Sequence, residues 1–552
     1  MRRALTWPSC HSLHRARQCG RMDGVNDNGE ATMEKAATDI YTFENLRREH
    51  FTYVDKTAIL KPLADMSRGK QFFIARPRRF GKSLAVSTLQ CLFEGRRDLF
   101  QGLAIEPEWE WSKKWPVLHI DMGSAQAPTV AALHRKWRAI LEAECARNKI
   151  GFRDDDDPAI AFAHVIDDLA AESGDGQIVL LVDEYDKPLL NHLCTPAVTE
   201  FKDALKAFYS VIKTYEGKQR FSFLTGVSKF SKVSIFSDLN NLEDMTLDAS
   251  TATLFGFTHA EVRANFPELI AALGKANGMT AEEAFDEIVR MYDGYKFEEN
   301  AESVINPVSL GLCFKKGKFE NWWSKTAVPT FLIDFFKTRP LDVSSLDVSD
   351  SDMDAFEPER INPVTLLFQT GYLTIRDVEW NGYFTTYRLG FPNAEVESSF
   401  LSELSKLYSG KGAGGDGAVV ARIGDTLRAR DPEGFVEAFK SFFGSIPYDL
   451  TDRQNEQSWQ AVMYVVMRLI GMNVGGEVKT SKGRIDLTIE TATDAYVIEV
   501  KRDSTPMKAI EQIRDKSYTD RFRLSGKPIT LIGLAFSTKK RAVSGAKIVR
   551  DA

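Results

Sequence analysis

The sequence lacks the paired cysteines that a disulfide framework or a structural zinc site requires. Six cysteines are spread over 552 residues, and none of them forms a Cys-x-x-Cys pair: Cys10, Cys19, Cys91, Cys145, Cys194 and Cys313. Disulfide scaffolds and zinc modules concentrate their cysteines at short, repeated spacings. We therefore expect neither kind of site, and the pattern fits a protein of a reducing compartment.

Long apolar runs are also missing. Lys, Arg, Asp or Glu interrupts every candidate before it reaches the ~18 residues that a membrane-spanning helix needs. We find no internal repeat with a period of about 20 to 50 residues, the signature of repeat architectures. We expect a soluble, intracellular protein, most simply a cytoplasmic one, with no membrane partner.

The chain has no strong excess of either charge. Its 71 Lys and Arg and 77 Asp and Glu give a formal net charge of −6, which argues against a protein that coats nucleic acid over its whole surface. The charge is uneven, however, because residues 501–552 hold 13 Lys or Arg and 5 Asp or Glu. This basic end could follow a phosphate backbone, and a solvated surface explains it equally well.

Acidic residues are absent from the first 22 positions, which contain five arginines. This composition resembles an organellar transit peptide more than a secretory signal. The alternative is an unstructured or wrongly assigned leader, since Met22 and Met33 offer later start positions. We predict that residues 1–38 form a leader or a disordered segment.

What the sequence does contain is an alternation of strand-like and helix-like segments. Between residues 40 and 260, short runs rich in Val, Ile, Leu and Phe alternate with amphipathic stretches of helix length. This predicts an α/β fold, with βαβ units around a buried parallel sheet and helices on both faces. We predict a P-loop domain at 39–260, a mainly helical middle region at 261–445 and a small α/β domain at 446–552.

A phosphate-binding loop is predicted after the first strand-like run, Gln71–Ala75. That run leads into Arg76, Pro77, Arg78, Arg79, Phe80, Gly81, Lys82 and Ser83, and a helix-compatible segment follows. In a P-loop, backbone N–H groups and the helix N-terminus bind the phosphates of ATP, the lysine contacts the β- and γ-phosphates, and the serine hydroxyl binds Mg²⁺. We assign these roles to Lys82 and Ser83. Arg76 replaces the first glycine of the usual pattern, which could alter the turn of the loop.

Acidic residues at the end of a later strand support a nucleotide site. The apolar run Ile178–Val182 ends in Asp183 and Glu184, an arrangement that places one carboxylate on Mg²⁺ and the next near the attacking water. A further strand ends near Thr225, whose hydroxyl could sense the γ-phosphate. A solvated turn at a strand end is the alternative for the two acids. We predict nucleotide binding; for hydrolysis, the sequence identifies no arginine finger.

A second candidate site lies near the C-terminus. Gly483–Ile489 and Ala495–Lys501 read as two strands joined by a short turn. A strand period of two puts Glu499 and Lys501 on one face, and the hairpin brings Asp486 alongside. Two carboxylates and an amine offer ligands for Mg²⁺, a metal-activated water and a cation, as phosphodiester hydrolysis requires. An ordinary surface hairpin is the alternative.

Two further residues have supporting roles in this interpretation. Glu456 opens a predicted helix, Glu456–Ile470, from which a third carboxylate could reach the metal; a favourable charge at the helix N-terminus explains it equally well. Gln512 lies on a helix predicted to begin near Ala509, where it would support the same site.

Together these segments resemble the AAA-ATPase-like proteins that carry a C-terminal PD-(D/E)XK nuclease-superfamily domain. Similar stretches follow one another in order from about residue 40 to residue 536: FENLRREHFTYVDKT, ARPRRFGKS, LLVDEYDKPLL, FLTGVSKFSKVSIFSDLNNLEDMT, MYDGYKF, LLFQTGYLTI, LGFPNAEVESSF and GRIDLTIE with YVIEVK. The resemblance implies that the arginine-rich loop is the family's own form of the phosphate loop, so that Arg76 is typical there. It also implies that Asp486, Glu499 and Lys501 fall on the nuclease signature. Asp55 and Lys56 fall in a recurrent Tyr-Val-Asp-Lys segment, to which the sequence assigns no mechanism.

We therefore expect an ATP-binding protein in which the nucleotide state controls a Mg²⁺-dependent nuclease acting on DNA. ATP and Mg²⁺ are the expected cofactors, DNA is the expected partner, and a homo-oligomer is compatible with the sequence. In a second hypothesis, the C-terminal fold grips nucleic acid or a protein partner without cutting. In a third, the nuclease-like domain of an ATP-driven regulator serves only to dimerise.

Overall fold

The computed structural model describes residues 35–229, 241–323, 346–354, 362–409, 416–444 and 473–551, apart from positions 39, 191, 194, 481–482, 492, 524–525, 538 and 540–541. Most of the predicted leader and the predicted helix Glu456–Ile470 lie outside these residues. The three parts of the described chain follow in order.

The N-terminal part is built on a five-stranded parallel sheet. Its strands are β1 (Gln71–Ala75), β2 (Val117–Asp121), β3 (Ile178–Asp183), β4 (Gln219–Gly226) and β5 (Glu243–Asp244), in the order β2-β3-β4-β1-β5. Every residue of β1 and β3 is buried, as expected for apolar strands covered on both faces. The predicted parallel sheet is confirmed.

Seven helices accompany this sheet: α1 (Phe43–Arg48), α2 (Thr57–Ala64), α3 (Lys82–Phe93), α4 (Val130–Arg147), α5 (Pro158–Glu172), α6 (Lys187–Leu190) and α7 (Val198–Thr214). Single 3-10 turns lie at Arg97–Phe100, Glu106–Glu108, Met122–Ser124, Glu216–Lys218 and Ala249–Thr251. The acidic run before α5 begins that helix, because the Asp157 side chain accepts a hydrogen bond from the Ala159 N–H and Pro158 occupies the first turn.

The middle region begins with four helices around a small core of their own. They are α8 (His259–Asn265), α9 (Pro267–Ala276), α10 (Ala281–Tyr292) and α11 (Pro307–Lys316), and Val54 from the N-terminal part joins their core. The sequence shows one helical pattern across α8 and α9. The structure divides it at Phe266, because Pro267 lacks an N–H and begins a new helix.

The rest of the middle region combines helices with a small antiparallel sheet. Its elements are β6 (Asp347–Ser349), α12 (Asp350–Asp354), α13 (Pro363–Gln369), β7 (Thr374–Trp380), β8 (Thr385–Gly390), α14 (Ala394–Ser409), α15 (Asp416–Arg428) and α16 (Pro432–Gly444). The three strands pair in the order β6-β8-β7. The region is therefore mainly helical, as predicted, with one sheet added.

The C-terminal part is a small mixed α/β unit. It contains β9 (Asn473–Thr480), β10 (Gly483–Glu490), β11 (Ala495–Arg502), α17 (Pro506–Asp515), α18 (Asp520–Arg523), β12 (Ile529–Ser537) and β13 (Ala542–Asp551). The sheet order is β13-β12-β11-β10-β9, and only β11 and β12 are parallel among these pairs. Helix α17 packs on the sheet over Gly533, where a Cβ would come within 2.3 Å of the Pro506 carbonyl oxygen. The predicted α/β fold class is confirmed for this part as well.

Candidate functional site

The predicted phosphate loop connects β1 to α3. Within it Arg79 and Gly81 adopt positive φ angles of 71° and 94°. Gly81 is the residue before the helix, where glycine is favoured because L side chains rarely adopt such a φ. In the described part of the chain no side chain caps this helix start, so the first N–H groups of α3 are available to an anion.

The Lys82 side chain folds back over the loop. Its Nζ donates to the carbonyl oxygens of Arg76 and Pro77, both at 3.0 Å. Burial lowers the pKa of Lys82, and the negative charge of Asp183 opposes this effect. The ammonium group is thus held against the loop by two neutral carbonyl oxygens.

The two residues predicted to bind Mg²⁺ contact each other. Asp183 ends β3 and is buried, and burial raises its pKa, whereas a hydrogen bond from the Ser83 hydroxyl and the charge of Lys82 lower it. A hydroxyl and a carboxylate side by side are oxygen donors of the type that Mg²⁺ prefers. The donor set of this site therefore fits the metal.

Glu184 follows at a sharp bend of the chain, with φ of 52°. Its Oε2 accepts from Lys187 Nζ at 2.8 Å. Burial would raise the pKa of Glu184, but the hydrogen bond and charge of Lys187 outweigh it, so that the pKa is lowered. Glu184 is therefore an ionised carboxylate held by a neighbouring lysine.

Thr225 lies near the end of β4, between the loop strand and the acidic strand. Strand β4 pairs with β1 on one side and with β3 on the other. The Thr225 side chain is fully buried, and its Oγ1 has no hydrogen-bond partner among the described residues. The predicted contact of Thr225 with the γ-phosphate therefore stays a prediction, because the side chain is near the loop but is not exposed to solvent.

A cavity of about 460 Å³ opens beside the loop. Its lining includes the loop residues and polar side chains Arg78, Arg79, Gly81, Lys82, Ser83 and Glu184. It also includes the largely apolar side chains Ile40, Tyr41, Val54, Leu254, Phe257 and Phe314. Phe80 also lines the cavity, whereas Arg76, Pro77, Asp183 and Thr225 are not among the described lining residues. Its volume and mixed lining are those of a small-molecule site.

The Arg76 side chain points away from the loop into the protein. Its guanidinium donates to the carbonyls of Ala75 at 2.9 Å and Thr246 at 2.6 Å, and it lies 4.2 Å from the centre of the Phe297 ring. Burial lowers the pKa of Arg76 to about 9. Arg76 is absent from the residues with positive φ, so this position of the loop does not require glycine. The arginine instead anchors the segment after β5.

The second candidate site lies on the hairpin of β10 and β11. These strands are antiparallel, with Leu487 facing Ile498 and Thr488 facing Val497. Continued by one step, this register sets position 486 opposite Glu499. Facing positions of an antiparallel pair share one face of the sheet. The side chain of Asp486 and all of Glu456 lie outside the described residues.

Glu499 gathers the remaining predicted residues of this site. Its side chain is 1% exposed, and its Oε1 accepts from Lys501 Nζ at 3.0 Å. Gln512 Nε2, on α17, donates to the same oxygen. The structure thus brings Glu499, Lys501 and Gln512 together, as the strand period and the predicted helix indicated. Their catalytic roles stay predictions.

Comparisons with known proteins agree with both halves of this geometry. The family described as predicted AAA-ATPase matches residues 38–236, and the PD-(D/E)XK nuclease superfamily matches residues 454–545. A protein of Azotobacter chroococcum mcd 1, named as an uncharacterized protein in the vnfD 5′ region, is 37% identical over 527 residues, which covers 93% of this chain and 98% of that protein. The chain belongs to the AAA-ATPase-like proteins with a C-terminal PD-(D/E)XK nuclease-superfamily domain.

The AAA-ATPase-like domain contains a buried acid that the sequence analysis missed. Asp186 accepts hydrogen bonds from the N–H groups of Val227 at 3.1 Å and Ser228 at 2.7 Å. It therefore fixes the chain that follows β4. The stretch LLVDEYDKPLL contains this residue, so its second aspartate was the available signal.

The Tyr-Val-Asp-Lys segment also has a clear place in the AAA-ATPase-like domain. Asp55 Oδ2 accepts from the Ala104 N–H at 2.7 Å. Lys56 Nζ donates to Glu261 at 2.6 Å and to the Thr253 carbonyl at 2.8 Å, and Lys56 lines the cavity. The segment joins the start of the domain to the first helix of the middle region.

Two kinds of feature are absent from the described residues. No helix there has both the length and the apolar character needed to cross a membrane. No group of three or more His, Cys, Asp or Glu side chains there is placed to hold a metal. The side chain of Asp486, the predicted partner of Glu499, is not among the described ones.

Proposed function

We propose that this protein binds ATP with Mg²⁺ in the cavity beside the phosphate loop, and that the bound nucleotide controls a metal-dependent nuclease acting on DNA. The observation that carries the proposal is the joint presence of two ordered sites on one chain. Lys82, Ser83 and Asp183 are assembled at the first, and Glu499 and Lys501 at the second.

At the first site, each side chain has a distinct task. The start of α3 and the loop N–H groups bind phosphate oxygens, and Lys82 exchanges its two loop carbonyls for the β- and γ-phosphates. Ser83 and Asp183 hold the metal. The Thr225 hydroxyl, which is buried beside the loop and does not line the cavity, would donate to a terminal phosphate oxygen if the site opens that far. The apolar residues that line the cavity contact the base and the ribose.

At the second site, Asp486 and Glu499 hold the metal. Lys501 supplies a positive charge beside the reacting phosphate, and Gln512 orients the Glu499 carboxylate. When bound, Mg²⁺ would neutralise phosphate charge at the first site and activate a water at the second. The basic composition of residues 501–552 supports DNA as the substrate.

The middle region connects the two sites in the proposal. Gly371 lies against Pro77 of the phosphate loop. At its other end, Arg430 Nε pairs with Asp494 at 2.8 Å in the turn of the nuclease hairpin. We propose boundaries at residues 260 and 445, so that 261–445 is the unit through which the nucleotide acts on 446–552.

The two sites can be tested separately with matched variants. ATP affinity in Mg²⁺, measured by isothermal titration calorimetry, should be lost in Lys82→Ala and kept in Lys213→Ala, which removes an exposed lysine of α7. DNA cleavage in Mg²⁺ or Mn²⁺ should be lost in Asp486→Asn and kept in Asp515→Asn, an exposed residue at the end of α17. A wild-type protein that neither binds ATP nor cuts DNA would overturn the proposal.

The second candidate function is DNA binding without cleavage. The observation that favours it is the state of Glu499, which is almost fully buried and already accepts two hydrogen bonds from protein groups. DNA binding that persists in Asp486→Asn, with no cleavage by the wild type under any divalent metal, would establish this candidate instead.

A further inference from the structure

The turn after α13 touches the nucleotide site at two points. The contacts are made by Gln369, the last residue of α13, and by Gly371 in the turn itself, which has a φ of +86°. The Gly371 N–H donates to the Phe368 carbonyl at 3.0 Å, so the turn also closes the helix. Its sequence falls in the stretch LLFQTGYLTI, which the proposed function leaves without a role.

The first point of contact is the phosphate loop. A Cβ on Gly371 would lie 2.6 Å from Pro77 Cβ and 3.0 Å from Pro77 Cγ. The carbonyl of the same proline accepts a hydrogen bond from Lys82 Nζ at 3.0 Å. Because residue 371 has no side chain, the middle region can lie directly against Pro77. The carbonyl of Pro77 is one of the two that bind Lys82.

The second point of contact is the chain that follows β4. Gln369 Oε1 accepts from the Lys229 N–H at 2.8 Å, and Gln369 Nε2 donates to the Lys229 carbonyl at 3.5 Å. The two preceding N–H groups, of Val227 and Ser228, are bound by Asp186. Three successive N–H groups are thus fixed by two buried side chains, one from each part of the protein. These groups lie directly after Thr225 and Gly226.

We propose that Gln369 and Gly371 are positioning residues of the nucleotide site, and that through them the middle region responds to the presence of a γ-phosphate. This inference rests on the proposed ATP binding. Gly371 sets the position of the Pro77 carbonyl, which Lys82 leaves when it binds phosphate. Gln369 fixes Lys229, three residues beyond the end of β4, and so holds the chain next to Thr225, which the proposed function assigns to the terminal phosphate. Nucleotide binding therefore affects the Gly371–Pro77 contact and the Gln369–Lys229 hydrogen bonds together. Both contacts belong to the end of one helix and its turn in the middle region.

The glycine is tested with a matched pair of substitutions. Gly382 in the β7–β8 turn also has a positive φ, of +94°, but a Cβ there would have no atom within 4 Å. Gly371→Ala should weaken the affinity for both ATP and ADP about tenfold or more, whereas Gly382→Ala, with comparable backbone strain, should change it less than about twofold. A Pro77→Gly background removes the two nearest atoms and leaves Trp323 Cη2, at 3.1 Å, as the closest, so there the effect of Gly371→Ala should fall to less than about threefold.

The glutamine is tested by its selectivity between nucleotides. Gln369→Met keeps the length of the side chain and removes both hydrogen bonds to Lys229. It should weaken the binding of ATP more than that of ADP, by about fivefold in the ratio of the two dissociation constants, because in the proposed site only ATP has the terminal phosphate assigned to Thr225. A variant that only destabilises the fold would lower the affinity for ATP and for ADP by the same factor. Gln369→Met also keeps the test decisive if Gly371→Ala does not fold.

The outcomes separate this inference from the proposed function. A wild-type protein without affinity for ATP overturns the proposed function, and this inference with it. Two results would overturn the inference alone while the wild type binds ATP normally. One is an equal dissociation constant for ATP in Gly371→Ala and Gly382→Ala. The other is a ratio of ATP to ADP dissociation constants in Gln369→Met that equals the wild-type ratio.

Discussion

Replacing Glu395 by glutamine should stabilise the protein above neutral pH and change its stability only slightly in mild acid. Glu395 lies in the first turn of α14 and is fully buried. Its Oε1 accepts from the N–H groups of Trp322 at 2.6 Å and Trp323 at 2.9 Å. A glutamine carbonyl can accept the same two hydrogen bonds without carrying a charge.

The expected magnitude follows from the carboxyl group itself. Burial raises the pKa of Glu395 from its ordinary 4.5 to about 7. The folded protein therefore binds this proton more tightly than the unfolded chain does. The resulting stabilisation is fully present below pH 4.5 and is lost as the pH rises through about 7. The two pKa values correspond to a difference of about 3 kcal/mol in the free energy of unfolding.

Urea unfolding at pH 5 and pH 8, followed by tryptophan fluorescence, measures this difference. Glu395→Gln should be within about 1 kcal/mol of the wild type at pH 5, where little of the effect has developed, and should exceed it by about 3 kcal/mol at pH 8. Glu397→Gln, two residues along the same helix, controls for the loss of one negative charge. A gain of equal size at both pH values, or a wild type that is the more stable protein at pH 8, would refute the reasoning.

Three further substitutions test the packing around the sites by thermal unfolding. Arg76→Met leaves buried carbonyls without donors, so it should cost about 2 to 4 kcal/mol, and an unchanged melting temperature would contradict the anchoring role. Gly226→Ala would bring a Cβ within 2.5 Å of the Tyr185 ring and should cost about 2 kcal/mol. Arg430→Ala removes a largely exposed partner of Asp494 and should cost less than about 1 kcal/mol; a larger loss would mean that this pair anchors the nuclease hairpin.

The parts of the fold that depend on local pattern could be predicted from the sequence. The continuous apolar run of β3 predicts a strand covered on both faces, because only such a strand has no polar face, and every residue of β3 is buried. Likewise, the period of two along β11 places Glu499 and Lys501 on one face, and the structure shows them 3.0 Å apart. Strand and helix periods act over a few residues, so one sequence is enough to reveal them.

The contacts that join distant parts of the chain could not be predicted in this way. Lys56 and Glu261 are 205 positions apart, and Gln369 and Lys229 are 140 apart. No periodicity links such residues, because their meeting depends on how the finished parts pack. Arg76 illustrates the same limit: nothing in the loop sequence indicates that its side chain reaches the carbonyl of Thr246, 170 positions away, inside the protein.

The most direct test of the central claim is the rate of DNA cleavage with and without nucleotide. The rate should be measured in Mg²⁺ for the wild type with no nucleotide, with ADP and with a non-hydrolysable ATP analogue, and again for Lys82→Ala. We predict that the analogue changes the wild-type rate and that Lys82→Ala, while still able to cut, shows one rate under all three conditions. A wild-type rate that is the same in every nucleotide state would contradict nucleotide control of the nuclease.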